Sequence, residues 1–411
     1  MSFALSRLER IYLQLQPTFG VIPNTGGTAT VSGGDACRFI KCTLDPDVAT
    51  ITRTDKTGSR TRTAGNRGKM FGKWSLEQTL APNGVAETEP DCDPVMQAIT
   101  GQAPTKPTGT LTISSATTAK PIVITTSAPH ALAEYDVVTI NGCNNTAANG
   151  IQVVKVLTAT TLELVGSDGT GQTAGNVGTI SKAAVKYAAS DEIVQFALWS
   201  FRQPAGIDQR VGNSCVVNRA VFQGGQDGFA TWTAEGECKW VLSSNQFVNA
   251  DADQRGGLSA FPTEPASPVT NGGGVIGFTG CAIAGGSNLA TIRTFGVTVQ
   301  PGNVTDKATF GKFLPTATEG DERAVSTNLS VFEDDSTGFT NLVKASQDKA
   351  PLDCIYRIGT EPGNSVVLVT RGVQLVAPAR EEQRRFIANF PDSPAHGSSL
   401  TAKDELAIWF V

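Results

Sequence analysis

Histidine is nearly missing from this 411-residue chain, which has only His130 and His396. A Ser-His-Asp or Cys-His set would have to use one of them, and neither lies in a supporting motif. Both are expected at the surface. Charge is also sparse. Charged residues make up 17% and the net charge is −5, which argues against a general nucleic-acid binder with its basic excess. No apolar run approaches the ~18 residues that a membrane span needs. Met1 to Gln16 alternates apolar residues with Arg and Glu and does not read as a signal peptide. The eight cysteines (37, 42, 92, 143, 215, 238, 281 and 354) include no Cys-x-x-Cys pair, so a structural zinc site is not expected. Spread thinly and without a secretion signal, they read as free thiols of a reducing cytosol. Gly272 to Gly277 lacks the Lys-Ser/Thr of a phosphate loop. The pairs Asp91/Asp93 and Asp334/Asp335 precede predicted helices, where N-terminal capping accounts for them better than metal or acid–base chemistry. No catalytic residue, metal or cofactor is expected.

Glycine, by contrast, is abundant at 43 residues, and Thr, Ser, Val and Ala recur throughout. This predicts many short strands joined by turns, a mainly β chain long enough for two or three domains. An internal repeat organises it. Gly212-Asn213-Ser214 leads into an apolar strand, and Gly363-Asn364-Ser365 leads into another, each with an Arg two residues before a Val. Upstream, aromatic or apolar strands are predicted at 193–201 and 352–358. Further upstream lie alternating strands at 73–80 and 323–332, followed by short helices at 93–100 and 339–346. Each half closes with a strand, at 229–242 and 400–411. Between Gly101 and Lys182 the composition shifts to Thr, Ala, Gly and Asn. Short strands at 111–114, 122–126, 137–140, 152–156 and 161–164, separated by turns, predict a small all-β domain inserted in the first half. The organisation expected is an arm (1–36), a first domain (37–102 with 183–250), the insert (103–182), a Pro/Gly-rich connector (251–288) and a second domain (289–411).

Several segments, in this order, resemble bacteriophage tail-tube proteins. Gln16-Pro17-Thr18-Phe19-Gly20-Val21-Ile22-Pro23 is similar to the family's N-terminal segment. Arg53 to Gly72, running into Trp74-Ser75-Leu76-Glu77, resembles its long basic loop and core strand. Leu80-Ala81-Pro82-Asn83-Gly84 and Asp91 to Gly101 resemble the following turn and helix. Ile122 to Leu132 and Asp168-Gly169-Thr170-Gly171 resemble a β module common in phage structural proteins. The resemblance implies tandem tail-tube-like β-sandwich or barrel domains, each with a short helix. It implies protomers joined into rings around a DNA channel, and rings stacked into a tube. Two units per chain favour three protomers per ring, with six as the alternative. It further implies a virion location after synthesis in the host cytoplasm. The implied partners are the chain itself, the tail terminator, tape-measure and distal tail proteins, and DNA in passage.

Within that reading, the cations Arg53, Lys56, Arg60, Arg62, Arg67, Lys69 and Lys73 are candidates for docking to the adjacent ring. Their acidic counterparts in the second half are Glu319, Asp321 and Glu322. A solvated loop and nucleic-acid binding are the other readings. Thr231 to Trp240 is two-faced: Trp232, Ala234, Cys238 and Trp240 are predicted in a core. Glu235 and Glu237 on the polar face are candidates for a mildly acidic channel lining. Ala407 to Val411 is too apolar to stay exposed. From other classes come a glycan-binding insert, disfavoured by its single aromatic Tyr135, and an all-β glycan-cleaving enzyme.

Overall fold

Alternation of apolar and polar residues makes these segments strands because each can bury one face and hydrate the other. Asn66–Thr79 shows it: Met70, Trp74 and Leu76 point inward while Lys73, Ser75 and Glu77 point away. The computed structural model describes residues 8–52, 65–202, 208–225, 228–266, 280–289, 291–307, 309–382, 384–399 and 401–411. It is mainly β. Eight strands pair antiparallel in one continuous run: Lys41–Ile51, Asn66–Thr79, Thr231–Cys238, the distal part of Arg210–Gly225, Ile292–Gln300, Ala324–Phe332, Phe386–Ala395 and Ala379–Glu382.

The proximal part of Arg210–Gly225 leaves this run. It pairs with Phe196–Phe201 on one side and Trp240–Ser243 on the other, and Phe196–Phe201 pairs in turn with Arg10–Leu15. Val366–Gln374 behaves alike. It pairs with Pro351–Ile358 and Leu406–Phe410, and Pro351–Ile358 pairs with Gly280–Ala284. The two pairing schemes agree down to their irregularities. Register slips between Phe196↔Cys215 and Leu198↔Gly212, and again between Leu352↔Val373 and Cys354↔Thr370. Each slip coincides with a positive φ, 54° at Ser214 and 62° at Gly372, the kind of residue a bulge uses to turn a strand. The Gly-Asn-Ser match seen in the sequence is therefore not the structural equivalence. Gly212-Asn213-Ser214 lies inside a strand, Gly363-Asn364-Ser365 lies ahead of one, and the pairing aligns Ser214 with Gly372. Asn213 and Ser214 serve a local need: Gln16 Nε2 donates to Asn213 Oδ1 (2.8 Å) and Ser214 Oγ (2.9 Å), holding the buried kink.

One apolar core runs through both halves, from Trp74, Phe196 and Trp232 to Phe295, Tyr356 and Phe390. Helix Asp93–Thr100 packs into it and stops at Gly101, whose φ of 87° gives the usual glycine cap. The second helix, Thr337–Asp348, is longer than expected because Ser336 Oγ caps it by accepting from the Phe339 amide (3.2 Å). Gly236 has no room for a side chain, since a Cβ there would lie 1.9 Å from the Val216 carbonyl oxygen.

Three sequence expectations need correction. The first 36 residues are not an arm, because Arg10–Leu15 is a buried strand of the sheet. The stretch 251–288 is not only a connector. Leu258 and Phe261 pack on the first half, and Gly280–Ala284 pairs in the second. The closing strand 229–242 is two strands, Thr231–Cys238 and Trp240–Ser243, which pair with different parts of Arg210–Gly225. The final strand, Leu406–Phe410, is buried in its own chain between Val366–Gln374 and Val185–Ala188.

Residues 110–181 form a closed six-stranded barrel with its own core. Five of its strands match the sequence reading; the sixth, Thr179–Ser181, closes it. Thr105 and Lys186 form an antiparallel bridge where the chain leaves and returns. The barrel's Val137, Ile151, Val153 and Val165 pack on Ile355, Val367, Val369 and Trp409. The matching face of the first half, Trp199, Phe201, Val211 and Leu242, is covered instead by Ile22, Phe247, Leu258 and Phe261. All eight cysteines are free thiols. Burial raises the thiol pKa of Cys37, Cys92 and Cys215 and takes those of Cys42 and Cys354 up to about 12, so none of these five is an activated nucleophile.

Excising residues 106–183 and joining the ends with a short linker is expected to uncover the Ile355–Val367–Val369–Trp409 face. The shortened chain should bind an apolar dye and self-associate irregularly, and Val367→Thr with Val369→Thr should reduce both. A dye-silent, monodisperse product would contradict this account of the barrel's role.

Candidate assembly interface

The eight-stranded run has two borders. Among the described residues, Lys41–Ile51 pairs only with Asn66–Thr79, and Ala379–Glu382 pairs only with Phe386–Ala395. Each leaves one side of its backbone without a strand partner. Open edges of this kind are normally blunted or used.

One face of the run lies on the core. Register fixes what the other face carries, because directly paired residues share a face. One row reads Thr43, Ser75, Glu235 and Arg219; the next reads Lys41, Glu77, Thr233, Val221, Thr298 and Ser326. Hydroxyls dominate, and the charges are balanced. Thr43 and Ser75 hydroxyls lie 2.7 Å apart, and Arg219 lies 3.7 Å from Glu235.

The two ends of the run carry exposed aromatics. At the end holding the 225–231 and 382–386 connections, Phe229 and Phe386 are exposed. At the opposite end, Phe310 is fully exposed and Phe313 half exposed. Residues 301–307 and 309–320 lie back across the first half. The Phe313 carbonyl accepts from the Met70 amide (2.8 Å), Arg67 stacks over Phe313 (5.3 Å), and Lys307 sits over Phe71 (4.1 Å).

The predicted contact residues separate accordingly. Arg53, Lys56, Arg60 and Arg62 lie outside the described residues. Arg67 is stacked on Phe313, Lys69 donates to the Thr309 carbonyl, and Lys73 pairs with Asp47 at 2.7 Å. Glu319, Asp321 and Glu322 are exposed. They follow Ile292–Gln300 at the same end of the run as Ile51 and Asn66. A head-to-tail stack apposes opposite ends, so it does not bring these cations and acids together. Glu235 is exposed on the polar face. Glu237 is not: it accepts from the Thr305 amide (3.3 Å) and hydroxyl (3.0 Å) and pairs with Lys307, so it anchors residues 301–307.

Other candidate chemistry is accounted for structurally. His130 is buried rather than superficial: its Nε2 lies 2.7 Å from the Thr158 carbonyl and Nδ1 accepts from the Leu132 amide. His396 is exposed beside a cleft of about 580 Å³ between the halves. There Arg323 pairs with Glu405 (2.5 Å) and Lys403 with Asp191, while Glu192, Asp321 and Glu322 leave the lining acidic. Asp91 and Asp93 are not side-chain caps, since Cys92 holds that position without a side-chain bond. Asp91 instead pairs with Arg38 (2.8 Å), and Asp93 accepts from the Tyr187 hydroxyl (2.7 Å). Burial raises the Asp93 carboxyl pKa. Asp334 does support a cap, accepting from Ser336. Among the described residues, no cluster of His, Cys, Asp or Glu is arranged to hold a metal ion. No helix of the described residues is long and apolar enough to cross a membrane. Tyr135 donates to Asp353 across the barrel contact and lies under Arg371 at 4.9 Å.

No protein-family model matches this chain, and no curated protein is significantly similar to it.

Glu237→Ala removes the acceptor for Thr305 and Lys307. The expected result is faster limited proteolysis between residues 305 and 316, with the thermal midpoint lowered by only a few degrees, about 1–2 kcal/mol. Unchanged cleavage kinetics would show that the segment is held by its other contacts.

Proposed function

We propose that this chain is a structural ring subunit of a phage tail tube, without catalytic activity. It consists of two tandem tail-tube-like domains and a β-barrel inserted in the first. The observation that carries this reading is the doubled pairing scheme fused into one sheet with both borders open. A chain that already joins two units edge to edge has solved the geometry by which further copies join. Repetition of the same junction leads around a closed ring, because a heterologous contact that returns on itself closes. Three copies carry six units, so the trimer is favoured and the hexamer is the alternative. The hydroxyl-rich, charge-balanced face is the one assigned to the channel, where a polyphosphate could pass without strong attraction or repulsion.

The glycan-binding alternative loses support from Tyr135. The insert's one aromatic ring is engaged in the contact with the second half rather than offered to a sugar.

Negative-stain microscopy of the purified protein is the direct test. Rings or hollow filaments are expected, and persistent monomers at high concentration would defeat the reading. Phe310 and Phe313 are exposed at one end of the run, which supports an axial role for them in this reading. Phe310→Ser with Phe313→Ser is expected to shift the population from filaments toward free rings at unchanged secondary structure by circular dichroism. Filaments of normal length from this variant would remove these residues from the axial contact.

A further inference from the structure

The junction inside the chain is a template for the junction between chains. Within the chain, Arg210–Gly225 and Ile292–Gln300 pair antiparallel, with Val221 opposite Thr298, Phe222 opposite Val297 and Gln223 opposite Gly296. The doubled pairing scheme names the counterparts of both partners. Phe222 pairs with Trp232 as Arg380 pairs with Ala388, so Ala379–Glu382 takes the place of the distal end of Arg210–Gly225. Thr294 lies opposite Ser330, and Lys41 lies opposite Glu77. With Thr79 and Phe332 at corresponding ends of their strands, Lys41 stands where Thr294 stands. These counterparts, Lys41–Ile51 and Ala379–Glu382, are the two open borders.

We infer that Ala379–Glu382 of one copy pairs antiparallel with Lys41–Ile51 of a second copy, with Ala379 opposite Asp45, Arg380 opposite Leu44, Glu381 opposite Thr43 and Glu382 opposite Cys42. This rests on the ring reading above and specifies its partner surface. Charge order supports the direction. Lys41 comes diagonally across from Glu381 on the same face, so opposite charges meet at that end of the short ladder. Composition sets its length. The next pair in this register is Pro46 against Pro378, and proline supplies no amide to a ladder.

Cysteine crosslinking tests the register. Thr43→Cys with Glu381→Cys places thiols on one face of directly opposed residues. Thr43→Cys with Arg380→Cys places them on opposite faces. The protein is assembled at high concentration, treated with mild oxidant or a short thiol crosslinker, and run without reductant. The first variant is expected to give a covalent ladder ending at the ring's subunit number, with at least a tenfold excess over the second and over each single variant. Rings without that ladder, or a ladder dominated by the second variant, would overturn this register while leaving ring formation standing. If the unsubstituted chain forms no rings by microscopy or sedimentation, the ring reading falls and the register with it. Circular dichroism and melting of the reduced variants establish that these border substitutions leave the fold intact.

Discussion

The pairing of residues 220–225 with residues 294–299 is the constraint on which the architecture depends. It turns two strand groups into one sheet and makes their cores continuous. Its backbone hydrogen bonds contribute about 1 kcal/mol each in net terms. The larger share comes from side chains beneath them: Ala220, Phe222, Val297 and Val299 are fully buried, and a buried residue of the larger kinds contributes about 1.5–3 kcal/mol. Phe222 stacks near Trp232 on one side of the junction, and Phe295 stacks on Tyr356 at 4.6 Å on the other. The two open borders lie at opposite sides of this continuous run.

Doubling the scheme did not make the halves interchangeable. Each has a second apolar face, formed where the central strand swings out of the eight-stranded run. The first half covers Trp199 and Val211 with its own early segment and the stretch around Phe247 to Phe261. The second covers Val367, Val369 and Trp409 with the barrel. The barrel thus has a packing role that composition alone did not announce. Its contact side is as apolar as a core, and Lys186 reaches across to Asp136 (2.9 Å) and over Trp409 (4.8 Å).

Much of this was legible in the sequence where local periodicity and tertiary demand agree. Ile122–Thr126 and Thr161–Leu164 were bounded by turn residues on both sides, and Asp93–Thr100 ended on a glycine that had to adopt positive φ. What misled was information carried by partners rather than by the strand itself. Gly212-Asn213-Ser214 looks like a turn, yet Gln16 and Gly20 from far away satisfy its polar atoms and keep it inside a strand. Arg10–Leu15 carries Arg at its edge and reads as part of an arm, although four of its residues are buried by Phe196–Phe201 and the core behind. His130 looked superficial by residue type, but two local backbone bonds make its burial inexpensive. The cation-rich stretch showed its charge but not which end of the sheet it follows. That placement, not the charge, decides what it can meet.

The polar face also depends on partners. From the sequence, Glu235 and Glu237 give the strand Thr231–Cys238 an acidic side. The fold withdraws one and balances the other. Lys307 and Thr305 cover Glu237, and Arg219 stands opposite Glu235 in register. What remains exposed is mostly hydroxyl and amide, from Thr43 and Ser75 through Thr233 to Ser326 and Asn328. Such a surface hydrogen-bonds water well and presents no charge row of either sign. For a channel that conducts a phosphate polymer, an attractive wall would retain it, and a strongly repulsive wall would add a barrier to entry. A face whose charges cancel in neighbouring pairs avoids both. It does so through the same register that aligns the strands.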